Sequence, residues 1–103
     1  MERIERLEEF LKTSPEDSFV QHALALEWVK RGEESKAEEL FKAILKRDEN
    51  YIGSYYHLAK LLERTGDESG AIAVYEKGME RAKAAGDNHA YSELRSAYED
   101  LTF

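Results

Sequence analysis

Residues 55 to 60, Tyr55-Tyr56-His57-Leu58-Ala59-Lys60, gather two phenols, an imidazole and an ammonium within six positions. Such groups can relay protons, ligate metals or stack against a partner's rings. Besides His57 the only histidines are His22 and His89. Zinc or iron needs three or four ligands in a fixed geometry, and no His-x-x-x-His or Glu-x-x-His pair occurs in the chain. Serines and acids are present, but no strand-turn-helix elbow or glycine-rich anion loop frames them as a nucleophile or phosphate site. The chain has no cysteine, which closes thiolate and disulfide chemistry. No enzyme, metal or cofactor is expected. Acidic pairs such as Glu8-Glu9, Glu33-Glu34 and Glu38-Glu39, with lysines and arginines three to four residues away, read as a solvated helix surface.

The elements that position these residues follow from size and pattern. A chain of 103 residues makes one domain and buries roughly two-thirds of the surface its unfolded form exposes. Fifteen basic residues against 22 acidic ones leave a formal charge of −7, which repels phosphate backbones unless the cations are segregated. Lys30, Arg31, Lys60 and Arg64 are the only cations that could converge, and the final 17 residues set four carboxylates against Arg95 alone. Nucleic acid is not an expected partner. Neither is a membrane: the opening stretch MERIERLEEF is charged throughout, and no apolar run approaches 18 residues. A soluble, cytoplasmic protein is expected.

Two stretches 34 residues apart fall into register. Leu24 meets Leu58, Ala25 meets Ala59, Trp28 meets Leu62, Gly32 meets Gly66, Ala37 meets Ala71, Phe41 meets Tyr75 and Leu45 meets Met79. Leucines or tryptophan four apart make one apolar helical face. Glycines 32 and 66 supply the left-handed residue that lets a helix end and the chain reverse, with Lys30 and Arg31 near the negative helix end. Second helices follow, with Asp67 or Ser69 as N-cap and Ser35-x-x-Glu38 shaped like a capping box. The small pairs Ala25/Ala37 and Ala59/Ala71 predict close antiparallel packing. After Asp87-Asn88, residues Ala90, Leu94, Ala97, Tyr98 and Leu101 predict one more amphipathic helix.

The spacing Gln21-x-x-Leu24-Ala25-x-x-Trp28 with Ala37-x-x-x-Phe41, and Tyr55-x-x-Leu58-Ala59-x-x-Leu62 with Ala71-x-x-x-Tyr75, resembles the tetratricopeptide repeat. Leu7, Leu11 and Pro15 stand one period earlier, and Ile44 and Gly78 occupy places where that family often has alanine. The resemblance implies an all-α, right-handed helical solenoid of antiparallel helix pairs, about six helices in one domain over residues 1–103. Residues 1–14 would form a half-repeat helix, 18–51 and 52–85 two repeats, and 87–103 a C-terminal capping helix. Leu24, Ala25, Trp28, Ala37, Phe41, Tyr55, Leu58, Ala59, Leu62, Ala71 and Tyr75 are expected in the core.

The resemblance also implies a function: a protein-interaction scaffold holding a peptide or partner protein in a groove lined by the first helices. His22, Leu26 and Val29 in one repeat, and Tyr56, Lys60 and Glu63 in the next, would face that groove, with Phe19, Tyr51 and His57 at its rim. Some relatives grip a terminal carboxylate with lysine, asparagine and arginine. Here His22, Leu26 and His57 hold the matching places, so no chaperone-tail clamp is expected. A mixed apolar and aromatic groove suits a helix or an extended apolar peptide. The alternative is a self-associating module in which Leu26 and Val29 pair two copies of the chain as a homodimer.

Overall fold

Apolar residues three and four apart need a common face to bury, and six helices provide it. The computed structural model describes residues 2–103, with helices α1 (Arg3–Thr13), α2 (Ser18–Lys30), α3 (Glu34–Arg47), α4 (Gly53–Arg64), α5 (Glu68–Ala85) and α6 (Asn88–Thr102). Each packs on the next in chain order and α4 also touches α6, so the helices stack antiparallel into a right-handed solenoid with extents of 43 × 29 × 20 Å. Among the described residues there is no strand, and no helix is long and apolar enough to cross a membrane.

The helix ends are defined chemically. Asp17, Asp67 and Asp87 accept hydrogen bonds from the backbone N–H groups of Val20, Gly70 and Ala90 at 2.9 to 3.0 Å, satisfying donors that the first turn leaves unpaired. Gly32 and Gly66 end α2 and α4 at φ of 76° and 91°, where any side chain would strain the backbone. The Ser35-x-x-Glu38 capping box is not formed: α3 begins at Glu34 and its N-cap, Glu33, makes no side-chain cap bond. The chain reverses so sharply after Gly32 that helix starts before Ser35 can stand outside it.

A recurring arginine ties each of α2, α3, α4 and α5 to its predecessor or to the turn before it. Arg31, at the end of α2, meets Glu2 at 2.7 Å; Arg47, at the end of α3, donates to Ser18 at 2.6 Å; Arg64, at the end of α4, meets Glu34 at 3.0 Å. Arg81 of α5 donates to Asn50, just before α4, at 2.6 Å. In an antiparallel stack the end of one helix lies beside the start of the one before it, which is where these side chains reach. Exposed pairs of this kind contribute only about 0 to 1 kcal/mol each; they favour one register more than they stabilise.

The core is one continuous cluster. Ala25, Ala37, Ala59 and Ala71 are fully buried, together with Phe41, Tyr75, Leu61 and Leu94. Leu61 lies outside the stripe of Leu58 and Leu62, and it is buried because α4 is covered on more than one flank, by α3, α5 and α6. Tyr55 is a core residue whose hydroxyl donates to the Glu49 carbonyl at 2.6 Å. Trp28 departs from expectation: it is half-buried against the core, and the Lys36 ammonium stands 4.2 Å from its ring centroid. The indole is too large to close over completely at the α2–α3 edge, and the exposed part of its face takes a cation.

Gly78 is the tightest point. A Cβ there would lie 2.7 Å from Tyr55 Cβ and 3.1 Å from Leu94 Cδ1, so α5 can seat against α4 and α6 only without a side chain. Alanine ordinarily favours a helix over glycine by about 1 kcal/mol, whereas overpacking a core costs about 1 to 3 kcal/mol. Gly78→Ala is expected to lower the melting temperature; an unchanged or higher one would show that the helices part freely. Deleting residues 88–103 uncovers the face that Leu94 seals, and a lowered melting temperature or aggregation is expected, checked by calorimetry and light scattering.

Candidate binding groove

Helical phase divides α2 into two faces. Leu24 and Ala25 turn into the core, while Phe19, His22, Ala23, Leu26 and Val29 turn the other way. With Arg3, Glu27, Lys30 and His57 they line a hollow of about 550 Å³. Five of the nine residues singled out from sequence, Phe19, His22, Leu26, Val29 and His57, therefore share one cavity. Phe19 is 74% exposed and forms its outer edge.

His22 joins the two repeats. Its Nδ1 and Ser54 Oγ share a hydrogen bond of 2.8 Å, and its ring lies 5.6 Å from Phe41, 5.6 Å from Tyr51 and 5.4 Å from His57, centroid to centroid. His57 stacks nearly parallel to Phe41, 9° from coplanar at 6.1 Å. It is half-buried between neighbours, deeper than a rim position. Burial holds the imidazoles of both His22 and His57 below their usual pKa; the nearby His57 adds to the effect on His22, and Glu93 opposes it at His57. Neither ring adds a fixed charge at pH 7, so the charges that line the hollow are those of Arg3, Glu27 and Lys30.

The remaining stripe lies farther along α4. Tyr56 stands edge-on to His57 at 5.7 Å, Lys60 is 6.0 Å from the Tyr56 ring centroid and 3.8 Å from Glu63. Glu63 is committed to the core: it accepts the hydroxyl of buried Tyr75, whose ionisation is pushed far up by burial and then by that carboxylate. The four cations singled out for convergence each face a carboxylate, Lys30 with Glu27, Arg31 with Glu2, Lys60 with Glu63 and Arg64 with Glu34. Among the described residues no three His, Asp or Glu side chains cluster as metal ligands.

Ser54 was not singled out from sequence. In the 34-residue register it occupies the place of buried Val20, and a small polar residue at an apolar register position was the available signal. It is wholly buried and inaccessible as a nucleophile, so the serine–histidine contact is an inter-repeat hydrogen bond. Gln21, at an aromatic position of the repeat, is likewise buried and polar: it donates to the Pro15 carbonyl at 3.0 Å and accepts from Arg47 at 2.8 Å.

The geometry can be set beside known structures. A tetratricopeptide repeat domain protein from Salinibacter ruber, solved in solution, is 40% identical, covering 84% of this chain and 88% of its own, with a TM-score of 0.81. The chain belongs to the tetratricopeptide repeat family. A Bordetella parapertussis protein is 25% identical over 99% of this TPR chain and 89% of its own, TM-score 0.85. The TPR2B domain of yeast Sti1, in its pHsp70 complex, shares the fold at TM-score 0.88 and 15% identity, covering 96% of this chain and 79% of that one. No family model matches the sequence, and no curated protein matches it. As a TPR array the chain has the architecture of a protein-interaction repeat module.

Two measurements check the groove's construction. Tyr55→Ala is expected to destabilise by about 3 kcal/mol or more as a core truncation, and Tyr56→Ala by about 0.5 kcal/mol or less; denaturant melts of both variants decide. The histidines give a pH signature. Because their folded pKa lies below the ordinary 6.5, the unfolded chain binds more protons as pH falls through that value. Their contribution to stability is therefore full above about pH 6.5 and lost as pH drops toward the lowered value. Wild type should lose more stability between pH 7 and 5 than the His22→Asn/His57→Gln double variant, and equal losses would show that the rings protonate freely in the fold.

Proposed function

We propose that the chain is a non-catalytic scaffold that holds a peptide or partner protein against the first helices of its repeats. Residues 1–14, 18–51, 52–85 and 87–103 would act together as half repeat, two repeats and cap. One observation carries the reading: Phe19, Leu26 and Val29 present apolar surface around an open hollow, and Phe19 has little cover from the chain itself. The neutral imidazoles of His22 and His57 and the edge of Tyr56 extend that surface with rings, which contribute much of the energy in peptide interfaces. Lys60 and Glu63 at the far end form a polar border. A chaperone-tail clamp is no part of this reading, because His22, Leu26 and His57 stand where such relatives carry the lysine, asparagine and arginine of the clamp, and none of the three is a fixed cation at pH 7. A helix, or an extended apolar peptide, fits best.

The test is a pulldown from cell extract followed by titration of the captured partner. Tyr56→Ala should weaken binding by about 2 kcal/mol if the ring is an anchor without lowering the melting temperature, and Leu26→Glu should abolish binding. A partner that binds both variants normally would overturn the groove. Self-association is the second reading, favoured by the exposure of Phe10 (50%) and Phe19 (74%). Light scattering at two concentrations distinguishes it: a dimer that Phe19→Glu or Leu26→Glu dissociates would assign the surface to a second copy of the chain.

A further inference from the structure

A second hollow, sharing no residue with the first, opens on the side of the second helices. It lies between α3 and α5 above α4 and encloses about 520 Å³. Leu45, Leu58 and Val74, with the flank of Tyr55, make an apolar floor. Its lining includes three ammonium groups, those of Lys42, Lys46 and Lys77, and a single carboxylate, Glu49. In a chain with 22 acidic and 15 basic residues this is a local inversion of charge around apolar surface.

Two of these lysines already hold carboxylates at contact distance. Lys77 meets Glu49 at 2.7 Å and Lys42 meets Glu38 at 2.6 Å, whereas among the described residues Lys46 pairs with no carboxylate. The trough is bounded by two helices and open toward solvent, unlike the enclosed sites that bury most of a small ligand. A helix lies in such a slot by presenting apolar residues at i, i+3, i+4 and i+7, and its flanking residues then meet the rim. We infer that this outer trough docks an acidic amphipathic helix of a partner protein, with its apolar face on Leu45, Leu58 and Val74 and its carboxylates on Lys42, Lys46 and Lys77. Glu38 and Glu49 stand in for those carboxylates in the free chain and give way on docking. Attraction between opposite charges at an exposed rim speeds encounter and selects against basic partners, and salt weakens it.

The test uses phage-displayed peptides of about 11 residues, three helical turns, with leucines fixed at i, i+3 and i+7 and all other positions random. Peptides selected on the wild-type chain are labelled and titrated by fluorescence anisotropy. The expected binders are acidic, lose about tenfold or more in affinity with Lys46→Glu and with Ala73→Glu, weaken with added salt, and bind Tyr56→Ala unchanged. Lys46 and Ala73 are both exposed, so both trough variants should melt with wild type. Binders that are neutral or basic, or that ignore both trough variants, overturn the inference. Binders lost with Tyr56→Ala alone place their site on the first helices, which sinks this trough while supporting the groove. Absence of any binder, or co-sedimentation of the wild-type chain with phosphatidylserine vesicles in place of peptide binding, also overturns it.

Discussion

The solenoid depends on how closely α4 can approach its neighbours. Helix axes separated by leucines on both sides stand about 10 Å apart, and small residues bring them nearer. Here Ala25, Ala37, Ala59 and Ala71 are fully buried, and at Gly78 even a methyl group would collide with Tyr55. That approach seats Tyr55 under α5, directs its hydroxyl to the Glu49 carbonyl, and carries Ser54 within hydrogen-bonding reach of His22.

Much of this was legible in the sequence because it is periodic. The 34-residue register located the helices, the reversing glycines and the buried alanines, since each is a local requirement that recurs in both repeats. Features that join unlike elements were less visible. Ser54 and Gln21 break the apolar register, and only their distant partners, His22 and Arg47, show why. Arg31 reads in sequence as a cation near a helix end, yet it reaches a helix earlier to Glu2. Gly78 stands in sequence where alanine is frequent, and only the Tyr55 side chain across the helix interface explains the glycine. The shortfall of cover over Trp28 depends on the width of the α2–α3 edge, which no spacing encodes.

Charge is organised by the same stacking. Most exposed cations are paired within a turn or with the neighbouring helix, which leaves the acidic excess spread over the surface and sets both cations of the first-helix hollow, Arg3 and Lys30, against Glu27. Within that hollow the imidazoles of His22 and His57 are kept neutral by burial. Desolvation opposes charge there, so the hollow favours apolar and aromatic contacts over ionic ones.

Helix α4 contributes to both hollows. Tyr55 and Leu58 line the outer one and His57 the inner, so a single helix about 10 Å thick is the partition between two chambers. A guest that displaces α4 from one side would move the wall of the other. Because free energy is a function of state, whatever factor the first guest applies to the affinity of the second must be returned unchanged when the order of arrival is reversed.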